Sequence, residues 1–295
     1  MKILRVFPRR TSFTPKDDMA VVGSPALFMP APTAVSGIEV HVSCTFTWDK
    51  PKAEYLAKAW RQYFPVKIGG PAYDDPCDGF TPGLYLKQGV VITSRGCNHK
   101  CPWCLVWRRE GALRLLPVTE GNIEQSNSLL QCPRSHIDSV LDMLTTQSQV
   151  CLAGGLESSL VSQWFADRVR SLRVKQVFLA CDTKGAIKPL RKAINLLGLG
   201  PHKTYCYALL KFNPNETISE ATERMVDIWQ AGATPFAQLY QPPDHWIDYP
   251  LEWRHFQRTW SRPAAMRAFM RTYSRPFHTL REVEYWKSKN YRLGQ

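Results

Sequence analysis

The sequence predicts an α/β protein in which a parallel β-sheet is covered by helices. After residue 87, short apolar runs alternate with segments of helical periodicity, and five such strand–helix steps predict strands that run parallel. The 295 residues are 44% apolar and include ten Trp, eleven Tyr and thirteen Phe, enough for a large core. No heptad or glycine repeat is present, which excludes a coiled coil and collagen. The periodicity leaves open whether the sheet is open or forms a partial barrel.

The chain is strongly basic and has nine cysteines. Lys and Arg number 38 against 25 Asp and Glu, a formal net charge of +13, which favours an acidic partner such as nucleic acid or an anionic membrane surface. No apolar run reaches the ~18 residues of a membrane span, and the N-terminal apolar stretch is too short for a signal peptide. We therefore expect a cytoplasmic protein with no membrane partner. The odd cysteine count favours reduced thiols that serve a metal or catalysis.

Residues 1–86 predict a small Rossmann-like βαβ fragment. After an N-terminal strand and a loop, residues 38–46 alternate between apolar and polar side chains, as in a half-buried strand. The segment Asp49–Pro51 then combines a capping residue with a proline, which predicts the start of a helix. A short apolar strand at residues 66–68 completes the unit. The turn-rich residues 72–86 predict a linker.

Residues 87–245 are expected to form the main domain, in which strands and helices alternate. Apolar runs that end in glycine or polar residues predict strands, and apolar positions three and four residues apart predict helices. In chain order, the expected elements are strand 89–93, helix 133–144, strand 149–153, helix 158–171, strand 177–180, helix 184–197, strand 205–210, helix 218–230 and strand 236–240. Functional groups of parallel α/β sheets gather beyond the carboxyl ends of the strands, so we expect the site there.

Three cysteines follow the first strand of this domain in a C-x3-C-x2-C pattern. Cys97, Cys101 and Cys104 are close enough in the chain for their thiolates to converge on one soft metal centre. Zinc is the alternative metal, but a structural zinc site takes four ligands, and the sequence has no second C-x2-C pair. The pattern therefore predicts a 4Fe–4S cluster with three protein ligands and one open iron.

This loop, with the aromatic Trp103 before its third cysteine, resembles the signature of the radical S-adenosylmethionine (radical SAM) superfamily. The resemblance covers about residues 87–245 and implies a partial (β/α) barrel whose 4Fe–4S cluster is bound by Cys97, Cys101 and Cys104. It also implies that S-adenosylmethionine (SAM) chelates the fourth iron and is cleaved reductively to a 5′-deoxyadenosyl radical, which abstracts a substrate hydrogen. Flavodoxin or ferredoxin is the expected electron donor. The protein's part is to position the cofactor and exclude water.

The next expected strand ends in a second match to the same superfamily. The run Ala153–Glu157 reads Ala-Gly-Gly-Leu-Glu and resembles the Gly-Gly-Glu element, which implies that Gly154, Gly155 and Glu157 bind the methionyl ammonium of SAM. Glycines allow a close approach of backbone to ligand, and a carboxylate suits an ammonium group. Leu156 separates the acid from the glycines. The alternative for Glu157 is an acid that complements the dipole of the following helix.

Polar residues also end the later strands. Asp182 is expected on the ribose hydroxyls of SAM, as the resemblance implies, and the alternative is an ordinary helix cap. Lys211, Gln238 and Tyr240 are expected to face the same cavity. Arg224 lies in an intervening helix, and we interpret its side chain as solvated or salt-bridged.

The segment between Cys104 and Cys132 is longer than an ordinary βα loop, which is typical of a lid or substrate loop. The cobalamin-associated group of the superfamily has a similar insertion and an N-terminal Rossmann-like domain. The compact layout resembles stand-alone phage and bacterial members related to that group. This chain lacks the Asp-x-His-x-x-Gly run that supplies the cobalt ligand, and its N-terminal region is too short for a complete cobalamin domain. We expect a degenerate remnant that does not bind cobalamin.

Residues 246–295 predict a basic, aromatic-rich helical extension. From residue 251 onward, ten Lys and Arg accompany three Asp and Glu. Arginines recur four residues apart on two consecutive predicted helices, namely Arg254, Arg258 and Arg262, then Arg267, Arg271 and Arg275. Arginines interleaved with Trp and Tyr are typical of binding to single-stranded or splayed nucleic acid. The alternative is a solvated helical face whose aromatics pack on the barrel.

With the resemblance, these features predict a radical SAM enzyme that modifies or rearranges, for example by isomerisation, a hypermodified base in nucleic acid. DNA is favoured, such as that of a phage, in which case the host cytoplasm is the expected compartment. A base within a duplex must be flipped out to reach a buried radical. One alternative is a radical SAM enzyme that acts on a small metabolite or peptide. Another is a non-catalytic nucleic-acid-binding protein with a structural metal site.

Overall fold

The computed structural model describes residues 2–25, 37–75 and 79–273. Its first sheet is parallel and has four strands, namely β1 (Lys2–Phe7), β2 (Ala20–Val22), β3 (Ile38–Ser43) and β4 (Val66–Gly69). Their order in the sheet is β2-β1-β3-β4. Helix α1 (Lys50–Trp60) joins β3 to β4 and buries Leu56 and Trp60 in a core of its own. The sheet reverses its strand order between β1 and β3, and the carboxyl ends of these two strands are where such folds bind ligands.

Residues of the predicted linker pack back on this first sheet. The buried Arg5 donates hydrogen bonds from Nη1 to the carbonyl oxygens of Gly83 (3.1 Å) and Leu84 (2.9 Å). The His41 ring and the Tyr85 hydroxyl are 2.6 Å apart. The segment is therefore attached to β1 and β3 by specific contacts.

The second sheet contains six parallel strands. They are β5 (Val90–Val91), β8 (Ile123–Glu124), β9 (Val150–Glu157), β10 (Val174–Ala180), β11 (Thr204–Leu210) and β12 (Thr234–Leu239). Their order is β12-β11-β10-β9-β8-β5, which follows the sequence. Crossovers between parallel strands are right-handed as a rule, so helices that follow one another in this order lie on one face of the sheet. These helices are α3 (Arg134–Thr145), α4 (Gln163–Arg170), α5 (Ile187–Leu197) and α6 (Ile218–Gln230).

The long segment after the cysteines is not a loop throughout. It contains the short helix α2 (Val106–Arg109) and strand β7 (Arg114–Leu115), which pairs with β6 (Ser94–Arg95) in an antiparallel ladder. It also supplies β8, which lies between β5 and β9. The segment expected to be a lid or substrate loop therefore contains regular structure, and one of its strands belongs to the main sheet.

The main core lies between the second sheet and its helices. Leu152, Val177 and Leu179 point from the strands toward side chains such as Leu141 and Phe165 of the helices, and all are essentially inaccessible to solvent. Each such buried side chain contributes about 1.5–3 kcal/mol. Alternate residues of β10–β12 lie on the opposite face, where half-buried aromatic rings contact one another across the strands.

Helix α7 (Leu251–Thr259) packs beside β12, and α8 (Pro263–Tyr273) packs against α7. Trp253, Trp260 and Met266 are buried in the main core, and the Ala237 amide donates to the Trp260 carbonyl (3.1 Å). The buried tryptophans Trp253 and Trp260 thus serve packing. Within the three described ranges, no helix has the length and hydropathy that a membrane crossing requires.

Candidate functional site

A cavity of about 400 Å³ lies at the carboxyl end of the second sheet. It is bounded by the cysteine loop after β5, the turn after β8, the end of β9 and the turn after β10. Its lining includes Cys97, His99, Cys101, Trp103, Cys104, Ser126, Asn127, Gln131, Gly155, Glu157 and Asp182. Segments far apart in the chain therefore contribute sulfur, carboxylate and amide groups to one cavity, as the topology of parallel sheets predicts.

The three loop cysteines all line this cavity as free thiols. Cys97 Sγ accepts hydrogen bonds from the His99 amide (3.4 Å) and from Gln131 Nε2 (3.4 Å). Burial raises the pKa of the Cys101 and Cys104 thiols, and the neighbouring Cys97 sulfur raises both further. A positive metal centre among the sulfurs reverses this repulsion.

This donor set fits an iron–sulfur cluster in its chemistry. Three soft sulfurs share one wall, and N–H groups already donate to one of them, as is usual around cluster sulfurs. Among the described residues, no three His, Cys, Asp or Glu side chains stand at metal-ligand spacing. The thiols therefore have to move closer together to hold a cluster.

The two glycines at the end of β9 have different surroundings. Gly155 lines the cavity with a φ of +77°, and a Cβ there would lie 3.2 Å from the Tyr207 ring. Gly154 is not part of the lining. A Cβ on Gly154 would lie 1.9 Å from the carbonyl oxygen of Ser126, so this glycine lets β9 pass close to the turn after β8. Only Gly155 is placed to face a ligand.

Glu157 is the carboxylate at the end of β9, and its side chain is about one-third exposed to the cavity. Its Oε2 atom lies 2.8 Å from His99 Nε2 and accepts from Gln131 Nε2 (3.4 Å). Oε1 accepts from the Ser159 hydroxyl (2.6 Å). The carboxylate is thus connected to the cysteine loop and retains acceptor capacity toward a cationic ligand.

Asp182 reaches the same cavity from the end of β10. Burial raises the pKa of its carboxyl, while the Leu209 amide, the Arg224 guanidinium and the Trp103 indole lower that pKa in part. The Leu209 amide donates to Asp182 Oδ1 (3.0 Å). Trp103 also packs edge-on against Phe212, at 4.6 Å between ring centroids. A half-buried carboxylate with a free acceptor is suited to hydroxyl donors of a ligand.

Arg224 is salt-bridged and buried rather than solvated. It pairs with Glu216 and donates to the carbonyl oxygens of Asp182 (2.6 Å) and Leu209 (2.8 Å). The residue therefore ties the ends of β10 and β11 together directly behind Asp182.

Three expected cavity residues do not line it. Lys211 has a φ of +59° and turns its ammonium group to the Pro214 carbonyl. Gln238 is exposed, and Tyr240 packs edge-on against Phe212 at 5.6 Å. The expectation that these side chains face the cavity is wrong. The left-handed turn at Lys211 redirects the chain there, whereas Gln238 and Tyr240 lie on and just after the edge strand β12, which contributes no residue to the lining.

The long segment expected to be a lid or substrate loop contributes to the lining through Ser126, Asn127 and Gln131, which follow β8. Gln131, and His99 inside the cysteine loop, were not singled out from the sequence. The polar run that includes Ser126 and Asn127 was visible in the sequence, but its meaning depends on the strand before it. Ile123–Glu124 is too short to show strand periodicity.

The arginines of the extension form a separate, exposed set. Arg254, Arg258, Arg262, Arg267 and Arg271 are all exposed, and Arg275 lies outside the described residues. Arg262 follows the end of α7 rather than lying on it. Arg254 is 3.6 Å from Asp248, whereas the other four form no ion pair with any described residue.

Comparison with solved structures gives a likeness in fold. The radical S-adenosylmethionine methyltransferase TsrM from Kitasatospora setae, determined with cobalamin and a 4Fe–4S cluster bound, aligns with a TM-score of 0.54 at 11% identity. The alignment covers 81% of this chain and 75% of that one. No protein-family model and no curated protein match the sequence. The two chains therefore share an α/β fold of the kind found in a radical SAM enzyme.

The crevice at the carboxyl ends of β1 and β3 does not fit cobalamin. The crevice beyond the carboxyl ends of β1 and β3 has a volume of about 30 Å³ and includes Arg9, Phe46 and Asp49. A corrin ring is many times larger than this crevice, and its described lining includes no histidine to bind cobalt.

Proposed function

We propose that this chain is a radical SAM enzyme. The observation that carries the proposal is that Cys97, Cys101 and Cys104 share one cavity with Gly155 and with the carboxylates Glu157 and Asp182. The fold likeness supports the same class. When bound, a reduced 4Fe–4S cluster and SAM supply a 5′-deoxyadenosyl radical that abstracts a hydrogen atom from a substrate.

Each lining group has a distinct part in this proposal. The three thiolates hold the cluster, and the exposed backbone of Gly155 allows a ligand to approach β9. Glu157 binds the ammonium group of SAM and Asp182 its ribose hydroxyls, while Trp103 covers one side of the cavity. A volume of about 400 Å³ lies in the range of small-molecule sites.

We further propose that the substrate is a nucleic acid, with DNA favoured and a modified base as the reacting group. Support comes from the net charge of +13 and from the exposed arginines of α7 and α8 that have no described acidic partner. A small metabolite or peptide as substrate is the competing outcome. Flavodoxin or ferredoxin is the proposed electron donor.

Anaerobic reconstitution tests the enzyme class. Wild-type protein is expected to bind about four irons per chain and to release 5′-deoxyadenosine when given SAM and a reductant. Cys97→Ala is expected to abolish both, whereas Cys151→Ala, a half-buried thiol outside the cavity lining, is expected to leave both in place. Zinc without SAM cleavage would show that the class is wrong.

Product analysis tests the substrate. The reconstituted enzyme is incubated with DNA, with RNA and with small-molecule fractions, and each is examined by mass spectrometry. A mass change in a nucleoside supports the nucleic-acid proposal. A change confined to metabolites or peptides supports the competing substrate class.

A further inference from the structure

Glu110 is a buried carboxylate outside the cavity, and its side chain has no solvent exposure. Four donors converge on it. Oε1 accepts from Arg109 Nη2 (2.8 Å) and Arg95 Nη1 (3.5 Å), and Oε2 accepts from the Gly96 amide (3.1 Å) and Asn127 Nδ2 (2.8 Å). Such charge-assisted hydrogen bonds are stronger than neutral ones.

The partners of Oε2 lie at two sides of the cavity. Gly96 directly precedes Cys97, and Asn127 is part of the lining contributed by the turn after β8. Gly96 has a φ of +77°, and the next amide, that of Cys97, donates to the Gly111 carbonyl (3.1 Å). A single carboxylate oxygen thus binds both the start of the cysteine loop and the cavity wall at Asn127, and it fixes their relative position.

The partners of Oε1 extend the same network to the first sheet. Arg109 Nη1 lies 3.4 Å from the carbonyl oxygen of Pro71, in the turn after β4. Burying a carboxylate is costly unless it is paired and hydrogen-bonded, and here each oxygen has two donors. A packing role alone needs no carboxylate at this position.

We propose that Glu110 is a positioning residue for the cysteine loop, which sets Cys97 against the Asn127 wall before a metal is loaded. This inference rests on the proposed function for its metal-loaded consequences. The hydrogen bonds by which Glu110 orders the loop are already present in the metal-free protein.

Glu110→Gln tests the proposal with little change in shape. The new amide nitrogen faces either the Gly96 amide or Asn127 Nδ2, so donor meets donor and this contact is lost, while an oxygen can still face Arg109. Glu120→Gln is the matched control, because it makes the same charge change at an exposed position of the same segment. Glu110→Asp keeps the charge and replaces E110Q if that variant does not fold.

The first readout uses metal-free protein. Alkylation of Cys97 by iodoacetamide, followed by peptide mass spectrometry, is expected to be about fivefold faster in E110Q than in wild type, and unchanged in E120Q. Reaction at Cys206, which is buried in β11, reports global unfolding and is expected to stay slow. Equal Cys97 rates in wild type and E110Q would overturn the proposal, whether or not the protein binds iron.

The second readout uses reconstituted protein. E110Q is expected to retain about half the wild-type iron or less and to show a weakened change in the electron paramagnetic resonance spectrum on addition of SAM. In the double variant Glu110→Gln/Asn127→Asp, the amide introduced by the first change can donate to the carboxylate introduced by the second, so iron content is expected to rise above that of E110Q. Wild-type iron content in E110Q would count against the proposal. Absence of iron from wild type would instead refute the proposed function and leave the alkylation result to decide on Glu110.

Discussion

At the scale of single residues, Gly154 and Gly155 show how adjacent glycines meet different requirements. Gly155 adopts a positive φ at the cavity wall, where L-residues are strained. Position 154 requires glycine because the carbonyl oxygen of Ser126 leaves no room for a Cβ there. The sequence identified both as special but assigned both to the ligand. The contact of Gly154 depends on a turn that the sequence did not place.

Gly154→Ala is therefore expected to destabilise the fold more than Gly155→Ala. The new methyl group of G154A meets backbone, which cannot rotate away, so a loss of about 3 kcal/mol is expected. G155A carries mainly the cost of a positive φ, roughly 1 kcal/mol. Urea unfolding followed by circular dichroism measures both. Equal stability of G154A and wild type would contradict the close contact.

Glu124 is a second residue whose environment decides its chemistry. It is fully buried at the end of β8, and burial raises the pKa of its carboxyl to about 7, while hydrogen bonds from Ser126 and Thr93 lower that pKa in part. The folded chain thus keeps a proton that the unfolded chain releases above pH ~4.5. The free energy of unfolding therefore decreases as pH rises from about 4.5 to about 7.

Glu124→Gln is expected to remove this pH dependence. The amide is neutral at every pH, so E124Q gains stability relative to wild type between pH 4.5 and pH 8, by up to about 3 kcal/mol. Urea unfolding at pH 4.5, 6 and 8 measures the slope, with exposed Glu120→Gln as the control. Parallel curves for wild type and E124Q would show that Glu124 does not hold the proton.

At the scale of elements, Arg224 of α6 connects the ends of β10 and β11. Its guanidinium reaches the carbonyls of Asp182 and Leu209 and pairs with Glu216. Glu216 Oε2 in turn accepts from the Lys211 amide (2.5 Å). The sequence predicted β10, α6 and β11, since their periodicity is strong. It could not predict these hydrogen bonds of Arg224, because the partners are backbone groups that become neighbours only through strand register.

Arg224→Met is expected to lower the free energy of unfolding by about 3 kcal/mol or more, because it removes the buried guanidinium that donates to two carbonyls and leaves Glu216 without its cationic partner. Arg224→Met/Glu216→Gln removes both charges and is expected to recover part of that loss. Urea unfolding of the two single variants and the double variant gives the coupling energy. Additive effects would indicate that the two side chains do not stabilise each other.

The elements missed by the sequence are the shortest ones. Strands β6, β7 and β8 have two residues each, which is too short to show alternation of apolar and polar side chains. They gain stability from neighbours, since β8 is hydrogen-bonded on both sides. The cysteine loop and the end of β9 can be recognised from local spacing, and both line the cavity. The lining residues after β8 belong to the segment expected to be a lid or substrate loop, but their individual positions depend on tertiary pairing.

At the scale of the whole molecule, charge and apolar surface separate within the C-terminal helices. Trp253, Trp260 and Met270 face the core, while the arginines of α7 and α8 face solvent. The sequence left open whether the aromatics stack on bases or pack on the sheet. For the buried tryptophans the structure favours packing, so phosphate contacts remain the way in which this surface would bind nucleic acid.

Single-stranded DNA binding tests that surface. Wild-type affinity is expected to fall steeply with salt, because arginine–phosphate contacts release counterions. Arg258→Glu/Arg271→Glu is expected to weaken binding and to reduce the slope of log affinity against log salt by about one to two. Fluorescence anisotropy between low and moderate salt measures the slope.

Lys188→Glu/Lys192→Glu is the matched control, because it reverses two exposed charges on α5 and changes the net charge equally. Its slope is expected to stay close to that of wild type, since long-range attraction is screened beyond about 10 Å at 0.1 M salt. If both double variants flatten the slope equally, net charge rather than the α7–α8 surface drives binding. If wild type does not bind at low salt, the nucleic-acid proposal is wrong and the positive charge has another partner.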